Sequence, residues 1–94
     1  MTRREQMLLN NVLDALDRLY DGVSKVIDVR SLMVATAEAL PDSQYSAQAE
    51  PVLKELQEIL RSGKSPAEKR DLALGATDDL RQYLAKALPF DGKI

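Results

Sequence analysis

The stretch SPAEKRDLALGATDDLRQYLAKAL, residues 65–88, settles the fold class. Ser65 is placed to cap a helix, Pro66 suits the first helical position, and Glu68 stands where a capping box needs its carboxylate. From there Leu72, Ala73, Ala76, Leu80, Tyr83, Leu84 and Ala87 recur at helical spacing, so one face is apolar to about Leu88. Gly75 costs roughly 1 kcal/mol relative to Ala in a helix, which suggests either close packing there or a bend near Thr77.

Upstream, PDSQYSAQAEPVLKELQEILRSG (41–63) has two starts. Asp42 or Ser43 can cap a turn, whereas Pro51 fits a first helical position better than an interior one. The expectation is a loose turn at 43–49 and a helix at 51–62, with Val52, Leu53, Leu56, Ile59 and Leu60 inward and Gly63 at its end. Glu50 with Lys54, and Lys54 with Glu58, are spaced as surface ion pairs.

LYDGVSKVIDVRSLMVATAEAL (19–40) joins the two remaining segments. Gly22 ends a first helix over 3–21, whose Leu8, Leu9, Val12, Leu13, Leu16, Leu19 and Tyr20 share a face. Val23 to Ile27 then reads as a connection and Asp28 as the cap of a helix over 29–40, stopped by Pro41. Val29, Leu32, Met33, Thr36, Ala37 and Leu40 are its inner face, and Ala35, Ala37 and Ala39 are small enough for close helix approach. Short connections between amphipathic helices favour antiparallel neighbours. The expected architecture is an all-α, compact four-helix bundle, a single domain over 1–94 with its core in 5–88. Phe90, in the tail at 89–94, reads either as a plug folded back on the bundle or as part of a frayed end.

Composition narrows the function. A chain of 94 residues buries only about 60–65% of its unfolded surface, which leaves little interior room for a cofactor. With 13 basic and 15 acidic residues the net charge is −2, which opposes general attraction to nucleic acid. The absence of Cys and His removes disulfides, thiolate and imidazole metal sites and the usual general base at neutral pH. Arg3 and Arg4 precede Met7, Leu8 and Leu9, but Asn10, Asn11 and Asp14 interrupt that apolar run, and nothing approaches the ~20 apolar residues of a membrane span. A cytoplasmic, non-enzymatic protein without cofactor or metal is expected.

Candidate contact residues fall in three groups. Asp14, Asp17 and Asp21 form an acidic ridge opposite the leucine face of the first helix. It reads as a binding ridge or as a solvated face, and one helix alone lacks the converging ligands of a metal site. Asp78 and Asp79 are adjacent and point about 100° apart, so one of them reads as the cap of a bend. Val34, Leu74 and Tyr45 are apolar or aromatic residues outside the buried stripes, either covered by another segment or available as anchors. Asp71, Leu74, Asp78 and Arg81 line up along one outer strip of the last helix, with an apolar centre between charges.

LYDGVSKVIDVRSLMVATAEAL followed by VLKELQEILRSGKSPAEKRDLALGATDDLRQYLAKAL resembles the small, acidic, helical immunity proteins that neutralise toxins in bacterial competition. The resemblance implies a stoichiometric inhibitor that covers the active or substrate-binding surface of a protein partner, such as a basic toxin domain. Asp14, Asp17, Asp21 and Asp28 are then the electrostatic candidates, and Val34, Tyr45 and Leu74 the apolar anchors. The alternative is a structural or adaptor bundle acting by self-association, as a homodimer for instance.

Overall fold

The computed structural model of the chain describes residues 2–88, and the expectation for Phe90 lies outside them. Thr2 opens the first helix. Its hydroxyl accepts the Glu5 N–H and the Glu5 carboxylate accepts the Thr2 N–H, both at 3.1 Å, a reciprocal cap that starts α1 (Arg3–Tyr20). These bonds favour the ionised carboxylate and hold the Glu5 pKa below its ordinary value. At the other end Gly22 takes φ +80°, its N–H bonds to the Leu19 carbonyl (3.1 Å), and the Val23 N–H reaches the Arg18 carbonyl (2.8 Å). This left-handed turn ends the helix where the sequence suggests.

The second helix differs from expectation. α2 runs from Val26 to Ala39, so Asp28 lies within its first turn and does not cap it; Lys25 occupies the cap position with no side-chain bond. The earlier start puts Val26 into the core at 7% exposure, while Asp28 keeps a favourable place near the positive end of the helix dipole. Ala35 stands on the outside and Ala37 and Ala39 are only half-buried, so small alanines do not form the inner face of α2.

α3 is a larger departure. It is one helix from Gln44 to Arg61, started by Ser43, whose hydroxyl accepts the Ser46 N–H at 3.1 Å, and it passes through Pro51 without a break. Buried residues on both sides explain the continuity: Tyr45 and Ala49 before the proline, and Leu56 and Ile59 after it, all enter the same core. Pro51 itself faces outward. The expected pairs Glu50–Lys54 and Lys54–Glu58 are absent from the two ion pairs found among the described residues.

Gly63, at φ +76°, closes α3, and α4 (Pro66–Ala87) begins with the expected capping box of Ser65 and Glu68. The helix is unbroken at Gly75, where an added Cβ would meet nothing within 4 Å, so neither close packing nor a bend accounts for that glycine. Its buried line is Ala73, Thr77, Leu80 and Leu84, which turns Leu72 outward at 44% exposure. Thr77 satisfies its hydroxyl on the Ala73 carbonyl at 2.8 Å, so a polar residue lies inside the bundle at no hydrogen-bonding loss.

The helices form an all-α four-helix bundle, packed in chain order with α4 closing on α1 and α2 approaching α4 across the diagonal. Antiparallel pairing is evident in the cross-links. Arg30 of α2 donates to the Leu53 carbonyl and the Gln57 side chain of α3, both at 3.2 Å, while Met33, further along α2, receives the hydroxyl of Tyr45 near the start of α3. Arg70 of α4 donates to the last carbonyls of α1, at Leu19 (3.0 Å) and Tyr20, and Lys69 to Leu60 near the end of α3 (3.0 Å). Two cations thus serve the carbonyl-rich ends of neighbouring helices, where the dipole favours them. Leu9, Val12, Leu16, Leu19, Met33, Tyr45, Leu56, Leu80 and Leu84 dominate the core. Tyr20, expected inside, is 61% exposed at the end of α1. Among the described residues no helix is long and apolar enough to cross a membrane.

Candidate functional site

A broad concavity lies where α2 turns into α3. Leu40 leaves α2, and two serines of the next helical start fix the turn beneath it. Ser43 donates to the Leu40 carbonyl at 2.8 Å; Ser46 donates to the carbonyls of Ala37 (3.1 Å) and Leu40 (2.9 Å). Under this turn Tyr45 is sealed at 1% exposure, its hydroxyl on the Met33 carbonyl at 3.3 Å. Burial pushes its pKa well above the ordinary tyrosine value. Tyr45 is therefore a core residue and is unavailable as a surface anchor, because the proline-tolerant α3 begins early enough to carry it inside.

Above these residues is a groove of about 650 Å³. Val34, Ala37, Pro41, Ala47 and Leu53 supply its apolar lining; Glu38, Asp42 and Glu50 supply its charge, and no basic residue lines it. Pro51 has no N–H to donate to the Ala47 carbonyl four residues earlier, so the wall also carries an acceptor without its usual helical donor. An apolar trough with acidic walls suits a segment that presents apolar side chains beside Lys or Arg.

The other sequence-derived candidates are distributed around the bundle. Val34 lies in the groove. Asp14 and Asp28 both line a smaller depression of about 330 Å³ between α1 and α2, where Asp14 pairs with Arg18 at 3.1 Å. Asp17 and Arg81 meet across α1 and α4 at 2.7 Å, and the Arg81 guanidinium stands 5.6 Å from the centre of the Tyr20 ring. Asp78 accepts from Gln82 at 2.8 Å within α4. Asp21 occupies the C-cap of α1, Asp71 is exposed, and Leu74 is half-buried against the core. Of the ridge of Asp14, Asp17 and Asp21, the first two are thus each paired with an arginine, while Asp21 is in neither of the ion pairs found among the described residues. Glu38, Asp42 and Glu50 escaped the sequence reading because they lie on different helices and a turn. Glu38 one helical turn after Val34, Asp42 after Pro41 and Glu50 before Pro51 were the available hints.

Among the described residues no group of three acidic side chains is placed to hold a metal ion. No protein family, characterised protein or solved structure significantly matches the chain.

Proposed function

We propose that this protein is a stoichiometric, non-catalytic inhibitor of the immunity type, acting in the cytoplasm by covering the active or substrate-binding surface of a basic bacterial toxin domain. The observation that carries the reading is the α2–α3 groove, apolar along its floor and lined by Glu38, Asp42 and Glu50 without a compensating cation. A toxin surface that holds a polyanionic substrate presents Lys and Arg, and three carboxylates around an apolar trough compete for that surface by charge as well as shape. Val34 is the apolar anchor of the contact. Asp28 and Asp21 extend the acidic field toward α1, where Asp14 is already paired with Arg18.

The test is the rate of association with any basic toxin domain found encoded next to this chain, at two salt concentrations. Joint replacement Glu38→Gln, Asp42→Asn and Glu50→Gln should slow association and flatten its salt dependence, whereas Val34→Asp should speed dissociation. Failure of the unaltered protein to bind that domain rejects the assignment for the pair, and binding indifferent to all four changes rejects the groove. Self-association is a second reading, supported by Val23 and Ile27, which stand 71% and 56% exposed at the α1–α2 corner. Sedimentation across a concentration series separates it, since it requires a dimer without a foreign partner.

A further inference from the structure

We infer that the opposite end of the bundle holds a second site, for a small amphiphilic carboxylate: a single carboxylate on a compact apolar tail. The cleft there is about 410 Å³, at the lower end of the range of roughly 300–1,000 Å³ common for small-molecule sites. Val26 and Leu60 give it an apolar floor and the exposed Ile27 an apolar rim, and Lys25, Lys69 and Arg70 line it with no acidic residue among the lining groups. In a protein of net charge −2, three cations around one apolar cleft are a local reversal of sign.

Two of these cations are held in place by the fold. Arg70 donates its Nε and one Nη to the Leu19 and Tyr20 carbonyls, and Lys69 donates to Leu60. A guanidinium has five N–H donors and an ammonium three, so both keep donors for a carboxylate after those bonds are made. The acidic neighbours in sequence, Asp21, Asp28, Glu68 and Asp71, do not line the cleft: Asp28 belongs to the α1–α2 depression, and Glu68 is engaged with the Ser65 N–H at 3.2 Å. Charge complementarity selects an anion, and the apolar floor selects one with a hydrocarbon body over a hydrophilic anion such as inorganic phosphate. The site is separate from the acidic groove and does not depend on the inhibitor reading.

Sodium decanoate, kept below its micellar range, is the probe, and amide resonances of the isotopically labelled full chain are the readout. Saturable shifts are expected at Gly22, Ile27, Leu60 and Arg70, with decanol at least about threefold weaker because it lacks the charge. Lys25→Gln, which removes no hydrogen bond of the fold, should weaken decanoate by about three- to tenfold, as one partly screened charge does. Ile27→Asp should abolish the shifts, and its half-exposed position keeps the fold intact. The proposal is overturned by absence of saturable shifts at the cleft, by decanol binding as tightly as decanoate, or by both variants binding as the parent does.

Discussion

Asp17 of α1 accepts a hydrogen bond from Arg81 of α4 at 2.7 Å, joining residues 64 positions apart along the chain. The side chains remain 40% and 48% exposed for Arg81 and Asp17, so solvent screens the pair heavily. A double-mutant cycle of Asp17→Asn and Arg81→Gln should give a coupling of about 0.2–1 kcal/mol in denaturant unfolding. A coupling above about 2 kcal/mol would mean that the pair is far better desolvated than its exposure indicates.

Pro51 lies inside an otherwise regular helix and faces solvent, while Gly75 occupies an exposed helical position with room for a methyl group. Pro51→Ala should raise stability by about 1–3 kcal/mol by restoring the missing helical donor, and Gly75→Ala by about 0.5–1 kcal/mol. Chemical denaturation of each variant measures both. A loss of stability in Pro51→Ala would indicate that the backbone geometry fixed by the proline ring, rather than its missing donor, determines how α3 packs.

Leu13 and Leu56 look alike in sequence, but Leu56 is 1% exposed and Leu13 is half-buried. Leu56→Ala should therefore cost about 2–5 kcal/mol and Leu13→Ala distinctly less. Equal losses at the two positions would show that α1 is rotated from the orientation described.

Tyr45 gives the protein an alkaline limit. Its buried phenol stays neutral above the pH, about 10, at which an unfolded tyrosine ionises, so above that point unfolding releases a proton. The contribution of this raised pKa is complete below about pH 10 and is lost as pH rises toward the folded value. Tyr45→Phe should lose about 0.5–1.5 kcal/mol at neutral pH, with its bond to Met33, and show a flatter stability curve above pH 10. Parallel curves for the two proteins would assign the alkaline transition to other groups.

Four amphipathic segments, the Ser65–Glu68 cap and the glycines that close α1 and α3 were legible in the sequence, because helical periodicity and capping act over a few residues. The absence of His and Cys was equally decisive for the chemistry excluded. The continuity of α3 through Pro51 was not legible. A local preference of about 3 kcal/mol against an interior proline is outweighed only when Tyr45, Ala49, Leu56 and Ile59 all find partners in one core. The same packing started α2 at Val26 rather than behind Asp28, and turned Tyr45 inward and Tyr20 outward. It also set Asp17 against Arg81 and gathered Glu38, Asp42 and Glu50 around one groove and Lys25, Lys69 and Arg70 around another. Those groupings arise between helices, whose relative rotation is set by the summed burial of all four and by no single segment's pattern.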